Sequence, residues 1–172
     1  MKKEFIDRIN TNDETKFIFQ SNAIEGEWGE REFAHAMEAW EYLKAQDVLS
    51  RSDILKTHRL LMREQPIPKK YIGKIRDVQV WIGGREGLPY ESIWENLHAW
   101  LGSMADVHIG ADEEYLKRLH VQYEYIHPFI DGNGRTGRMF YNWSRIKAGL
   151  PIHVIYEHEK HDYYKWFQKE TL

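Results

Sequence analysis

The most informative absence in this sequence is cysteine, of which the 172 residues contain none. Disulfide bonds, thiolate metal sites and cysteine nucleophiles are excluded together, and the composition fits a reducing compartment. Long apolar runs are also lacking, since no stretch approaches the roughly 20 residues that cross a bilayer. The first residues, Met1-Lys2-Lys3-Glu4, are charged, so no secretory signal is visible. We therefore expect a cytoplasmic protein without a membrane partner.

A strong charge of one sign is missing as well. The sequence has 24 Lys and Arg against 27 Asp and Glu, a net charge of −3, which predicts no general attraction to nucleic acid. Apolar material is plentiful: 42% of residues are hydrophobic and 14% are aromatic, with seven Trp and ten Tyr. This content argues against disorder and predicts one domain with a substantial core.

Hydrophobic spacing predicts an all-α domain, mostly helical, with one β-hairpin. Helices are expected over residues 13–25, 30–45, just after Ser52 or Asp53, from 89, over 112–127 and 135–148, and near the C-terminus. The β-like run covers residues 78–82 and is turned by Gly83-Gly84. A lone hairpin has no core of its own, so we expect it to lie on the helices over about residues 76–89. His58 is interpreted as a core histidine with hydrogen-bonded ring nitrogens.

The residues 127–138, His-Pro-Phe-Ile-Asp-Gly-Asn-Gly-Arg-Thr-Gly-Arg, combine groups that packing alone does not explain. Pro128 should end the preceding helix at His127, whose ordinary pKa of about 6.5 suits a general base. The glycines let N–H groups converge on an anion, and the next helix presents unpaired N–H donors to a phosphate. Arg135 and Arg138, three residues apart, face the same anion.

Asp131 is the unusual member of this segment, because a carboxylate repels a phosphate. A hard cation between the two removes the conflict, and Mg²⁺ typically binds one or two carboxylates together with substrate phosphates. The residues alone therefore predict a Mg²⁺-phosphate site with a general base.

The same twelve residues resemble the signature of the Fic family, H-P-F-x-D/E-G-N-G/K-R-x-x-R, at every specified position. The resemblance implies the Fic fold and a transferase that moves AMP from Mg²⁺-ATP to a Ser, Thr or Tyr hydroxyl of a protein target, which can be the chain itself. It makes His127 the catalytic base and Asp131 the Mg²⁺ ligand. It assigns nucleotide binding to Gly132, Asn133, Gly134, Arg135, Thr136, Gly137, Arg138, Tyr163 and Tyr164. The glycines and the Asn133 amide would cradle phosphates, and the two tyrosines would approach the base; ordinary aromatic core is the alternative for both tyrosines.

The segment from Ser21 to Gly26 is similar to the family's inhibitory motif, S/T-x-x-x-E-G/N. The resemblance implies that Glu25 pairs with Arg138, because a carboxylate there takes the donors meant for a phosphate. It divides the chain into an inhibitory segment, 1–28, and a core domain, 29–172. A homo-oligomer remains open.

The hairpin is similar to the Fic flap, whose strand edge registers the target's backbone. The docking residues this implies are Val78, Val80, Trp81, Ile82 and Gly83. A hairpin that only covers the core is the alternative.

Two other motifs compete for the same residues. Gly132-x-Gly134-x-x-Gly137 fits the dinucleotide fingerprint, but residues 127–131 do not form the buried strand that should precede it. Glu124-x-x-His127 has the spacing of a di-iron half-site, but the proline places this histidine at a helix end.

Two alternatives on the Fic fold stay open: a hydrolase that removes AMP from a modified protein, and a catalytically silent regulatory module.

Overall fold

The computed structural model describes residues 5, 7 and 9–168. The helices whose bounds are described are α1 (Asp13–Ile24), α2 (Glu30–Lys44), α3 (Arg51–Met62), α4 (Ile93–Ala105), α5 (Glu113–Ile126), α6 (Asn133–Lys147) and α7 (Lys160–Tyr164). Short 3₁₀ turns occupy Lys69–Tyr71, Tyr90–Ser92, Glu157–Glu159 and Lys165–Phe167. One hairpin pairs β1 (Trp81–Ile82) with β2 (Arg85–Glu86). The predicted fold class, mostly helical with one hairpin, is confirmed.

Helix α6 lies at the centre of the fold. It packs against α1, α2, α3 and α5, and nearly all of its residues from 133 to 145 are buried. Beside it, the Trp100 ring contacts Tyr123 and Phe140 at centroid distances of 5.1 and 5.5 Å. Burial of each such side chain contributes about 1.5–3 kcal/mol. The helix that carries both motif arginines is therefore fixed on several sides.

Residues at both ends of helix α1 fix where it begins and ends. The Asn12 side chain accepts a hydrogen bond from the Thr15 N–H at 2.9 Å, and the Thr15 hydroxyl accepts from the Asn12 N–H at 3.3 Å. This reciprocal cap satisfies two of the free N–H groups of the first turn. At the other end, Gly26 has φ +80°, a left-handed conformation that glycine adopts without strain. The turn that carries Glu25 is thereby set at the end of α1.

Four predicted boundaries are wrong by a few residues. Helix α3 starts at Arg51 because Ser50, two residues before Ser52, forms the N-cap and exchanges hydrogen bonds with Asp53. Helix α4 starts at Ile93 rather than at residue 89, because Tyr90–Ser92 form a 3₁₀ turn. Helix α6 starts at Asn133, since Gly132 at φ +80° turns the chain directly into it. The C-terminal helix ends at Tyr164 and continues as the 3₁₀ turn Lys165–Phe167.

The hairpin is shorter than the sequence predicts. Trp81 pairs with Glu86 and Ile82 with Arg85 across a turn in which both glycines have positive φ, +56° and +84°. The predicted strand over residues 78–80 is absent from the ladder. The Val78 carbonyl instead accepts a hydrogen bond from Arg76 at 2.8 Å, which takes the acceptor that a longer strand would have used.

Among the described residues no helix has both the length and the apolar character needed to cross a membrane.

Candidate active site

A pocket of about 850 Å³ opens where α5 gives way to α6. Its lining comes from α1, the hairpin, α5, α6 and the C-terminal segment: Glu25; Ile82, Gly83 and Arg85; Val121, Glu124, Tyr125 and His127; Gly134 and Arg138; Tyr163, Tyr164, Phe167 and Gln168. This volume lies within the usual range for small-molecule sites, about 300–1,000 Å³. Because His127, Gly134 and Arg138 belong to its lining, the pocket lies at the segment for which the sequence predicts a phosphate site.

His127 ends α5 in a left-handed conformation, with φ 48°, and is the one non-glycine residue with positive φ in the described part of the chain. Such a conformation is strained for most residues and is common at functional sites. Its Nδ1 lies 3.3 Å from the Glu124 carbonyl, a contact that requires the proton on Nδ1 and leaves the Nε2 lone pair free. Burial lowers the pKa of His127 to about 4, so the ring is neutral at pH 7 and can accept a proton.

The loop between His127 and α6 is held by Asn133. Its side-chain oxygen accepts from the Phe129 N–H, and its amide donates to the Phe129 carbonyl, both at 2.9 Å. The Asn133 side chain is 2% exposed. We predicted that this amide would donate to a phosphate; the structure corrects this, since the amide is engaged in shaping the loop.

His58 holds the same loop from α3. Its Nδ1 accepts from the Gly73 N–H at 2.9 Å, so Nε2 carries the proton and donates to the Asp131 carbonyl at 3.0 Å. The ring stacks on Phe129 at 3.7 Å, and burial lowers the pKa of His58 to about 4. The interpretation of His58 as a hydrogen-bonded core histidine agrees with this geometry.

Two residues predicted to bind nucleotide are buried in α6. The Thr136 hydroxyl donates to the Gly132 carbonyl at 2.9 Å, lies 2.9 Å from the Tyr123 hydroxyl and is fully buried. A Cβ added to Gly137 would lie 2.2 Å from the Glu124 carboxylate, so this glycine permits close packing with α5. The nucleotide contact predicted for the Thr136 side chain is therefore wrong, because that side chain lies on the face of α6 opposite Gly134. Gly137 lies on the same face of α6 as Gly134, which precedes it by three residues, and its nucleotide contact stays a prediction.

The predicted contact between Glu25 and Arg138 is present. Arg138 Nη2 donates to Glu25 Oε1 at 2.7 Å and to the Ser21 carbonyl at 2.9 Å, while Nε donates to the Ser21 hydroxyl at 2.9 Å. Arg138 is 1% exposed. Burial lowers the pKa of Arg138, but Tyr163 and Glu25 outweigh burial and raise it, so the guanidinium stays charged.

The Glu25 carboxylate lies directly over the first turn of α6. A Cβ added to Gly134 would lie 2.5 Å from Glu25 Oε1 and 3.0 Å from Arg138 Nη1. N–H groups in the first turn of a helix have no partner within the helix and attract anions. The carboxylate thus stands where a phosphate oxygen would be held by the same helix end and the same arginine.

Asp131 and Arg135 form a second charged pair, and neither residue lines the pocket that contains Arg138. Asp131 Oδ1 accepts from the Gly132 N–H at 2.6 Å and lies 3.6 Å from Arg135 Nη2, and half of the Asp131 side chain is exposed. Arg135 is 3% exposed and its Nε has no hydrogen-bond partner, an unusual state for a buried donor. The described residues contain no cluster of three or more His, Asp or Glu side chains that could hold a metal ion. One exposed carboxylate beside an anion site fits Mg²⁺ shared with substrate phosphates.

The two C-terminal tyrosines differ in placement, although both line the pocket. Tyr163 is 3% exposed, packs with Ile24 and Ile155, and lies 2.9 Å from His120 Nε2 through its hydroxyl. Tyr164 is 39% exposed. The aromatic-core alternative describes Tyr163, whereas Tyr164 lines the pocket and is partly exposed.

The hairpin residues implied for target docking are divided between the pocket and solvent. Ile82 and Gly83 line the pocket, while Trp81 is 73% exposed and Val78 is 39% exposed. The Val80 carbonyl accepts from the Gly87 N–H at 2.9 Å and extends the pairing by one bond. Tryptophan is among the residues that most often dominate the binding energy of protein interfaces, and target docking by these hairpin residues stays a prediction.

Glu124 is a pocket residue that the sequence analysis assigned no role. Its Oε1 is buried without a hydrogen-bond partner. Burial raises the pKa of Glu124 to about 7; Arg138 acts against this shift and Glu25 adds to it. The i, i+3 spacing that places Glu124 and His127 on one face of α5 was the available signal, but it was weighed only as a di-iron pattern.

Glu124→Gln should make the protein more stable than wild type at alkaline pH. In the folded protein Glu124 binds its proton up to about pH 7, against an ordinary pKa of 4.5. Between these values the folded state holds more protons, so the free energy of unfolding falls as pH rises. Glutamine removes this loss, which is about 3 kcal/mol above pH 7. Urea denaturation at pH 4.5 and pH 8 measures it, and a difference between the two proteins that does not change with pH would contradict the prediction.

Comparison with known proteins agrees with this geometry. The model of the Fic/DOC family matches residues 48–144, more than half of the chain. The protein adenylyltransferase Fic of Aedes aegypti is 35% identical over 126 residues, which is 71% of this chain and 24% of that protein. The protein of the same name from Nematostella vectensis is 30% identical over 131 residues, 74% of this chain and 30% of that one. The chain thus spans less than a third of these relatives.

The fold is shared with solved structures. A Fic domain containing signaling protein from Bacteroides thetaiotaomicron superimposes with a TM-score of 0.76 at 23% identity, over 96% of this chain and 74% of that one. The residues of the signature, the matching family model and this shared fold agree with one another. The chain belongs to the Fic/DOC family.

Proposed function

We propose that this protein is an adenylyltransferase that moves AMP from ATP to a hydroxyl group of a protein. One observation carries the proposal: a charged arginine, a helix N-terminus and a neutral imidazole meet in one pocket, and a carboxylate already lies in the anion position. The relatives named above carry the same activity in their names.

The reaction follows from the placement of His127. A Ser, Thr or Tyr hydroxyl oxygen attacks the α-phosphorus of ATP, the bond between that phosphorus and the α,β-bridging oxygen breaks, and pyrophosphate leaves. His127 Nε2 accepts the hydroxyl proton, since Nδ1 already carries one and donates to the Glu124 carbonyl. The first turn of α6 and the two arginines hold the phosphates and balance the charge that develops on the leaving group.

Asp131 would hold the Mg²⁺ that accompanies ATP. The ion supplies charge neutralisation between the carboxylate and the phosphates when it is bound. Two residues of this chain support Asp131: Arg135 lies beside its carboxylate at 3.6 Å, and His58 fixes the loop that presents it.

Glu25 would keep the enzyme inactive in the conformation described. Its carboxylate binds Arg138 at 2.7 Å and covers Gly134, so the terminal phosphates of ATP cannot reach these donors. ATP could still enter the pocket, but without the orientation that in-line attack requires. Glu25 must therefore leave Arg138 before transfer begins.

ATP labelled at either the α- or the γ-phosphate tests the proposal. With Mg²⁺ and the Glu25→Gly protein, we expect label on protein from α-labelled ATP and none from γ-labelled ATP. The acceptors are the chain itself and a cell extract. Glu27→Gly is a matched control, because Glu27 lies two residues away and has no bond to Arg138 among the described contacts.

Each other result has a defined meaning. Label on protein from γ-labelled ATP would show that the protein transfers phosphate and not AMP. ATP binding without transfer of either label would support a regulatory module, and loss of AMP from a labelled protein would support hydrolysis.

A further inference from the structure

Arg76 is a buried arginine that touches three backbone carbonyls in different parts of the chain. Its Nε donates to the His127 carbonyl at 2.9 Å, Nη1 to the Val78 carbonyl at 2.8 Å and Nη2 to the Leu88 carbonyl at 2.6 Å. Its own backbone N–H donates to the Pro128 carbonyl at 2.9 Å. The side chain is 2% exposed and does not line the pocket.

Two of these carbonyls lie at the base of the hairpin. Val78 precedes β1 and Leu88 follows β2, so the Arg76 guanidinium connects the two ends of the hairpin segment. Closer to the turn, the two sides of the hairpin are joined by the hydrogen bond from the Gly87 N–H to the Val80 carbonyl. The position of the whole hairpin relative to the helices is therefore set at Arg76.

The third carbonyl belongs to the left-handed residue that carries the imidazole. Because α5 ends at His127, no N–H group of the helix donates to the His127 carbonyl, and this carbonyl needs a hydrogen-bond donor from elsewhere. Arg76 supplies that donor from the side chain and bonds the next peptide group, Pro128, from the backbone. The orientation of the peptide that presents the imidazole thus depends on the residue that closes the hairpin.

We propose that Arg76 is a positioning residue that couples the hairpin to His127, and so sets the distance between a target's backbone docked on the hairpin edge and the base that takes its proton. The inference rests on the proposed function. It assigns Arg76 no contact with ATP or with the reacting atoms.

The chemistry of arginine fits this role better than a role in packing. The guanidinium is a planar fork with donors on three nitrogens, whereas lysine has one nitrogen and cannot reach three separated carbonyls. None of the ion pairs in the described part of the chain includes Arg76, and burial lowers its pKa. A buried charge without a carboxylate is costly, so an apolar side chain would serve packing better.

Arg76→Lys in the Glu25→Gly protein tests the coupling. We expect transfer of α-labelled AMP to the chain itself to fall by about ten- to hundredfold, because sub-ångström placement of the acceptor is lost. Affinity for Mg²⁺-ATP, measured by calorimetry, should stay within about twofold. Hydrogen exchange over residues 78–88 should become faster.

Arg145→Lys is the matched control. Arg145 is also buried, at 6% exposure, and its Nε also donates to a carbonyl, that of Pro151 at 2.8 Å, but it contacts neither the hairpin nor His127. The control should keep most of its transfer activity and its exchange pattern over 78–88. If Arg76→Lys does not fold, Arg76→Gln removes the buried charge and serves in its place.

The outcomes separate this inference from the proposed function. A folded Arg76→Lys protein that labels itself as fast as Arg145→Lys would overturn the inference, as would an equal loss of ATP affinity and transfer. If the Glu25→Gly protein transfers no AMP, the proposed function fails, and hydrogen exchange alone decides whether Arg76 holds the hairpin. Unchanged exchange over 78–88 would then overturn the inference.

Discussion

Replacing His127 should lower AMP transfer by about 10²–10⁴-fold when the change is made in the Glu25→Gly protein. The residue lines the pocket with a free Nε2, and burial lowers its pKa to about 4, so the imidazole is in the proton-accepting form at pH 7. Without it the hydroxyl must lose its proton to water. The initial rate of α-label transfer under saturating Mg²⁺-ATP measures the effect.

The choice of substitute matters because His127 has φ 48°. Asparagine tolerates the left-handed conformation better than alanine and cannot act as a base, so His127→Asn separates loss of the base from strain at the helix end. His127→Asn and His127→Ala, each made in the Glu25→Gly protein, should bind Mg²⁺-ATP as tightly as the Glu25→Gly protein does. Transfer that survives in His127→Asn at the parent rate would remove the base assignment.

Glu25→Gly should raise transfer by about ten- to hundredfold over wild type. Hydrogen bonds to a charged group contribute about 1.5–3 kcal/mol, and each 1.4 kcal/mol is a factor of ten. The bond to Arg138 at 2.7 Å is of this kind, and the same carboxylate blocks Gly134. Steady-state transfer by both proteins at equal ATP concentration measures the gain.

Glu25→Gln refines this prediction. The amide keeps the size of the side chain and can still accept a hydrogen bond from Arg138, but it carries no charge to compete with a phosphate. We expect its activity to lie between those of wild type and Glu25→Gly. Equal basal activity in all three proteins would show that the contact between Glu25 and Arg138 does not restrain the enzyme.

The sequence predicts the features that local chemistry decides. Pro128 ends α5, the glycine-rich segment leads into α6, and Asn12 and Gly26 bound α1, all within one or two residues of the observed positions. The contact between Glu25 and Arg138 joins residues 113 positions apart, and only the resemblance to a known family indicated it.

Other features depend on tertiary packing that no local pattern encodes. Asn133 has a side chain that could bind phosphate, but the nearest backbone groups, those of Phe129, use both of its functional atoms. Within the strand predicted over 78–80, the Val80 carbonyl pairs across the hairpin with the Gly87 N–H, while the Val78 carbonyl accepts a hydrogen bond from the buried Arg76. The burial of Glu124 and Arg76 cannot be predicted from the sequence, because a charged residue is usually a surface residue and only the fold shows these two side chains to be buried.

The central claim is that the triphosphate of ATP occupies the end of α6 that the Glu25 carboxylate now covers. A crystal structure of the Glu25→Gly protein with Mg²⁺ and a non-hydrolysable ATP analogue measures this directly. The account predicts phosphate oxygens within hydrogen-bond distance of Arg138 and over Gly134, with the α-phosphorus facing His127. A nucleotide bound elsewhere, with Arg138 free of phosphate, would contradict it.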